Sequence, residues 1–154
     1  MRHLQFSYLL LCGLLWLACS RIGPESKYPS PPASSYRIES VELVINGTSR
    51  RSQAAFVTPR FFEVARVQPL VGRLFIDQEY QPTFRHVAVL SNAFWRERFG
   101  AYPAIVGETL KLNGNEYTVI GIMPEAFKAP EGAEIWLPDD SGRHQHELPD
   151  RPPE

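Results

Sequence analysis

Residues 108–124 constrain what this chain can fold into more than any other stretch. Asn113-Gly114 lies at their centre. An Asn-Gly pair is the strongest short-range signal for a two-residue hairpin, because both central positions of a type I′ turn need positive φ. With those residues as the loop, Leu112 faces Asn115, Lys111 faces Glu116 and Leu110 faces Tyr117. Opposite charges then pair on one face and an aliphatic residue meets an aromatic one on the other, which is how cross-strand pairs stabilise a sheet. A one-residue slip would put Lys111 on the face of Tyr117, so the register is specified. Further along, strict alternation gives Val119, Gly121 and Met123 the face of Tyr117, and Ile120 and Ile122 the other. Both faces are apolar there. The second strand of the hairpin is therefore expected at the centre of a sheet, buried on both sides.

Other elements arrange themselves around this hairpin. Ile38, Val41, Leu43 and Ile45 mark a strand that ends at Asn46-Gly47, a second hairpin turn, with residues 52–57 as the antiparallel partner. Asn46-Gly47-Thr48 also spells a glycosylation sequon, but the turn accounts for it. Thr58-Pro59 supplies a helix start, with Thr as N-cap and Pro at the first helical position. Phe61, Phe62 and Ala65 share one face of that helix. Gly72-Arg73 reads as a turn, and the polar residues 76–85, with Pro82, as an exposed loop. Residues 86–90 read as a short buried strand. Ser91 then caps a second helix over residues 92–99, which Gly100 ends. Phe94, Trp95 and Phe99 form its buried edge, while Arg96 and Glu97 face water. A loop over residues 124–132 leads to a last strand at 133–137. The expectation is an α+β domain over residues 36–138, with two short helices packed on one face of a mixed β-sheet.

The flanks differ in kind. Residues 1–19 read as a signal peptide or membrane anchor: Arg2 and His3 precede an apolar run that falls short of the ~20 residues a spanning helix needs. Trp16-Leu17-Ala18-Cys19 resembles a bacterial lipobox, in which the cysteine is lipidated, although Trp16 and Leu17 replace the usual aliphatic and small residues. Lipidation at Cys19, an uncleaved signal anchor and ordinary cleavage are three open alternatives, and all place the remainder outside the cytoplasm. Residues 20–35 carry Pro24, Pro29, Pro31 and Pro32 among Ser, Lys and Glu and read as an extended tether. Residues 139–154 are polar, Pro-rich at their end, and expected to be disordered.

Chemistry is sparse. A net charge of −1 gives no electrostatic footprint for nucleic acid. The only cysteines, Cys12 and Cys19, lie in the first twenty residues, so the folded part has neither a disulfide framework nor a thiolate metal site. His144-x-His146-Glu147 could bind a metal, but two histidines in a tail lack fixed geometry. His86 reads as a strand-boundary residue. Ser91 follows a strand as a nucleophile would, yet the Gly-x-Ser-x-Gly context is absent. Asp77 and Glu79 could pair as acid and base, but in an exposed loop nothing would raise a pKa. Phe94, Trp95 and Phe99 read as core rather than ligand platform. Trp136, on a short last strand, is a candidate partner contact if exposed. No cofactor is called for.

Taken in order, Val57-Thr58-Pro59-Arg60-Phe61-Phe62-Glu63-Val64, Val67-Gln68-Pro69-Leu70-Val71-Gly72-Arg73-Leu74-Phe75, Val87-Ala88-Val89-Leu90-Ser91, Phe94-Trp95, Arg98-Phe99-Gly100, Ile105-Val106-Gly107, Leu112-Asn113-Gly114, Tyr117-Thr118-Val119-Ile120-Gly121-Ile122-Met123-Pro124 and Ile135-Trp136-Leu137-Pro138 resemble the MacB-like periplasmic core domain of ABC-transporter permeases. The pattern is closest to the orphan permeases of soil bacteria and covers residues 41–138. The resemblance implies a domain outside the inner membrane that transmits motion or contacts partner proteins, without catalytic residues. Two features depart from it: no further apolar stretch follows Pro138, and no P-loop is present. The chain therefore reads as a stand-alone module or a permease fragment, not a transporter by itself. The reading is a non-catalytic, membrane-tethered interaction module at the periplasmic face of the inner membrane. Its partners would be the membrane, through the anchor or lipid, and a permease or other envelope protein. The alternative is a small envelope hydrolase or metal-binding enzyme.

Overall fold

The structure, a computed structural model, describes residues 27–139. The readings of residues 1–19 with Cys19, of the start of the tether, and of the tail with His144, His146 and Glu147 lie outside the described residues. Among the described residues seven strands are present: β1 (Tyr36–Ile45), β2 (Thr48–Val57), β3 (Val71–Gly72), β4 (Val87–Leu90), β5 (Thr109–Leu112), β6 (Asn115–Ile122) and β7 (Ile135–Pro138). The helices are α1 (Phe61–Ala65) and α2 (Asn92–Phe99). Strand order is β3-β6-β4-β7-β2-β1-β5, and β5 pairs again with β6. Six strands thus close into a barrel, and β3 hangs on β6 outside the ring.

Both Asn-Gly turns form as their chemistry dictates. Asn46 and Gly47 have φ of 50° and 78°, and Asn113 and Gly114 have φ of 48° and 80°. The second turn sets Leu112 against Asn115, Lys111 against Glu116 and Leu110 against Tyr117. The first sets Ile45 against Thr48 and runs β1 along the whole of β2, from Thr48 rather than from residue 52.

β6 departs from strict alternation. It runs parallel to β4 with Ala88 opposite Val119 but Val89 opposite Gly121, so Ile120 is an extra residue, a bulge. The bulge returns Ile122 to the side of Tyr117 and Val119, and Met123 joins Ile120 on the other. The expected faces of Ile122 and Met123 are therefore exchanged. At the same place β3 crosses closely: Leu70 N–H donates to Ile122 O at 2.7 Å and Arg73 N–H to Ile120 O at 2.9 Å. Only glycine fits the crossing, since a Cβ on Gly121 would stand 2.4 Å from Arg73 O. Val71 and Gly72 are thus a strand, not the expected turn.

The last strand is central rather than marginal. β7 lies between β2, with which it is parallel, and β4, with which it is antiparallel. Its residues alternate between two cores. Ile135 and Leu137 point into the barrel with Val41, Leu43, Ala54, Ala88, Leu90, Leu110, Leu112, Val119 and Ile122. Trp136 points outward among Phe61, Phe62, Val89, Met123 and Phe127.

The helices follow the same division. α2 brings Phe94 and Trp95 to the barrel core, and α1 brings Phe61, Phe62 and Ala65 to the outer one. The expectation of two helices on one face is corrected: a closed sheet has an inside and an outside, and each helix takes one. α1 also starts later than expected. Thr58 O accepts from Phe61 N–H at 3.0 Å in a turn through Pro59 and Arg60, and no side chain caps the helix. α2 behaves as its sequence says, with Ser91 Oγ accepting from Phe94 N–H at 3.2 Å and Gly100 in the left-handed region.

Both ends of the domain meet at one place. Tyr36 and Pro138 flank Val57 on opposite edges of β2. Asp139 N–H donates to Val57 O at 2.9 Å, and the Asp139 carboxylate pairs with Arg37 at 3.4 Å.

Candidate functional site

The connection from α1 to β4 holds a buried charged side chain, Glu79. Arg73 lies one residue beyond the β3 crossing, and its guanidinium grips both carboxylate oxygens of Glu79, Nη1 to Oε2 at 2.9 Å and Nη2 to Oε1 at 2.7 Å. Glu79 Oε2 also accepts from Ile76 N–H at 2.9 Å. A bidentate pair of this kind is strong and geometrically specific. It raises the Arg73 pKa, chiefly through the hydrogen bond to Glu79 and partly against the effect of burial. Asp77–Tyr80 form a single 3-10 turn, and Tyr80 is buried, with its ring edge-on to Phe75 and its hydroxyl 3.4 Å from Thr58 O. Burial first, then the carboxylates of Asp77, Glu79 and Glu63, push the Tyr80 phenol pKa up. Phe75 rests on Phe62 of α1.

Residues 76–85 are exposed, as their polarity suggested, except for Glu79 and Tyr80, which pin the segment as a strap over α1. Glu79 is buried because its charge is matched, and such pairs leave no local trace in a sequence. Asp77 and Glu79 do not form an acid–base couple, since both Glu79 oxygens are committed. Among the residues the strap turns outward are three large apolar ones: Leu70 is 55% exposed, Ile76 47% and Phe84 57%.

The two ends of the barrel differ. α2 covers one end, where Trp95 Nε1 donates to Tyr102 O at 2.9 Å and Arg50 pairs with Glu134 at 2.9 Å. The other end is a dimple of about 190 Å³ lined by Arg37, Phe56, Arg85, Tyr117, Leu137 and Pro138. It is smaller than the ~300–1,000 Å³ of ordinary small-molecule sites. Arg37 lies over the Phe56 ring at 4.2 Å and pairs with Glu39 and Asp139. His86 stands edge-on to Tyr117 at the rim.

The remaining sequence candidates resolve one by one. Ser91 is a helix cap. Phe94 and Trp95 are core, with Phe99 half-buried against Phe94. Trp136 has no exposed surface and donates its indole N–H to Ala129 O at 3.1 Å. Its proposed role as an exposed contact is corrected: a strand between two others buries both faces. Among the described residues no three His, Cys, Asp or Glu side chains cluster to hold a metal, and no helix is long and apolar enough to cross a membrane. Sequence reasoning missed the Arg73–Glu79 clasp and the outward Phe84, which carries no periodic signal in its loop.

With this geometry in hand, comparison with known proteins is informative. The family described as MacB-like periplasmic core domain matches residues 24–152. No curated protein sequence matches significantly. Among solved structures, the extracellular domain of the noncanonic ABC-type transporter YknZ from Gram-positive bacteria superposes with a TM-score of 0.57 at 15% identity, over 74% of this chain and 57% of that one. The periplasmic region of MacB from Actinobacillus actinomycetemcomitans gives a TM-score of 0.57 at 18% identity, over 76% of this chain and 52% of that one. At such identities the likeness is one of fold, and the chain spans little more than half of each.

Proposed function

The chain belongs to the MacB-like periplasmic core domain family, and from that premise we propose that it acts as a non-catalytic interaction module on the extracytoplasmic face of the inner membrane. It would be held there by its N-terminal segment, with Cys19 as the point of lipid attachment, and would contact a permease or another envelope protein. The observation that carries this reading is the filled barrel. Side chains from all six strands pack its interior, so what the domain can offer a partner is its outside. The strap is the strongest part of that outside. Leu70, Ile76 and Phe84 are exposed on a segment already fixed by Arg73 and Glu79, and apolar groups on a pre-organised segment lose little freedom on binding.

Two measurements test the reading in cells. A photo-crosslinking residue at Phe84 should form a discrete adduct with an envelope protein, while the same residue at Glu97, exposed on α2 at the other end of the barrel, should not. Equal labelling at both positions, or none at Phe84, would refute the strap as the contact. Separately, Cys19→Ser should release the protein from the membrane fraction or leave an unprocessed precursor, and Cys12→Ser should change nothing. A mature N-terminus that is unmodified and lies beyond Cys19 would remove the lipid anchor from the proposal.

A further inference from the structure

β1 is ten residues long, but β5 covers only its last part. The pairing runs through Val44 and Leu43. Asn113 then closes it, its N–H donating to Glu42 O at 2.8 Å and its side-chain oxygen accepting from Glu42 N–H at 2.7 Å. Beyond that point no strand among the described residues covers the edge. Its phase is fixed by two bonds. The Asn113 contacts show that Glu42 points its backbone groups away from β2, and Thr58 N–H donating to Ser35 O shows that Ser35 points its own toward β2. In an antiparallel ladder the residues alternate in this respect, so Tyr36, Ile38 and Ser40 direct their N–H and C=O groups off the edge. No hydrogen bond joins the edge groups of Ile38 and Ser40 to another described residue.

An open strand edge templates the addition of another strand, and here the side chains say which one. We propose that a second copy of this chain adds to β1, antiparallel, about a twofold axis through Ile38. Ile38 then meets Ile38 of the second copy, Tyr36 meets its Ser40, and Arg37 meets its Glu39. Tyr36, Ile38 and Ser40 all fall in hydrogen-bonded pairs. Ile38, 43% exposed, is covered by its mate. Arg37 and Glu39 already pair within the strand, and their side chains are 45% and 46% exposed, so both can turn to the neighbour. Adjacent registers fail. Moving the axis one residue either way sets Glu39 against Glu39 or Arg37 against Arg37, and like charges directly opposite destabilise a sheet. The patch is thus self-complementary in one register, as a twofold interface requires.

Native mass spectrometry and sedimentation of the full chain in a nonionic detergent test the proposal. The wild type should show a dimer that grows with concentration. Ile38→Pro removes only an N–H that points off the edge, so it should keep the monomer's thermal melt and lose the dimer. Arg37→Glu and Glu39→Arg should each be monomeric alone, because each sets like charges against each other. Mixed one to one they should recover a heterodimer, since every cross-strand pair is then opposite in sign. A wild type that stays monomeric at its highest soluble concentration overturns the proposal. So does a dimer that survives Ile38→Pro, or a mixture of the two charge variants that fails to pair.

Discussion

Gly121→Ala isolates the close crossing of β3 over β6. Gly121 has ordinary backbone geometry, so alanine carries no conformational strain there and the whole cost is steric. Its Cβ would stand 2.4 Å from Arg73 O, about 1 Å inside ordinary contact. The obstructing atom is backbone and cannot swing aside, so β3 must retreat from β6. A retreat of that size breaks the bonds from Leu70 N–H to Ile122 O and from Arg73 N–H to Ile120 O, at about 1 kcal/mol net each. Forcing a methyl into a filled site adds about 1–3 kcal/mol, and the expected destabilisation is about 3–5 kcal/mol. Gly47→Ala is the control. Gly47 has φ of 78° and nothing within 4 Å of a built Cβ, so it should cost only the left-handed penalty of about 1–2 kcal/mol. Urea melts of both variants measure the difference. Equal midpoints for the two would show that β3 is not held against β6, and would remove the anchor from the strap with it.

Trp136→Ala empties the centre of the outer core and should destabilise by about 3–5 kcal/mol in the same melts. A loss under about 1 kcal/mol would contradict its burial. Ser91→Ala deletes the cap of α2 and should cost about 1 kcal/mol; an unchanged midpoint would mean that the cap bond is replaced by water. Tyr80 supplies a pH dependence. Its folded pKa is raised above the ordinary 10.0, so the stabilisation tied to the neutral phenol is complete below pH 10 and lost as pH climbs toward the raised value. Thermal melts from pH 8 upward should fall less steeply for Tyr80→Phe than for the wild type, and parallel curves would refute the assignment.

How much of this was legible depended on whether the signal was local. Both Asn-Gly turns, the hairpin register and the Ser91 cap follow from neighbours in sequence, and all are as read. The bulge at Ile120 was not legible because Val119, Ile120, Ile122 and Met123 are all apolar, so a change of face alters no pattern. Trp136 failed for the same reason: in Ile135-Trp136-Leu137-Pro138 every residue is apolar, and central and edge strands then look alike. Barrel closure rests on two residues of β5 meeting β1, a pairing between distant segments. The Arg73–Glu79 clasp defeats the equation of polar with exposed, since a carboxylate matched by a half-exposed guanidinium can itself be buried. On the strap, Leu70 and Arg73 fall in a run that carries the family resemblance, while Ile76, Glu79 and Phe84 belong to no motif, and for a surface that binds by shape none is required.

The meeting of the two ends beside Val57 has a mechanical consequence. β1 and β7 lie on opposite edges of β2 and point in opposite directions, so residues 36 and 138 leave from the same rim. A pull that separates these ends meets the hydrogen bonds one after another, in peeling order. It begins with the Arg37–Asp139 pair and the bond from Asp139 N–H to Val57 O. A load along the strands, from the α2 end of the barrel to this rim, instead meets the whole β4–β7–β2 ladder at once. The domain is soft when its two ends are drawn apart and stiff when pushed from the opposite side.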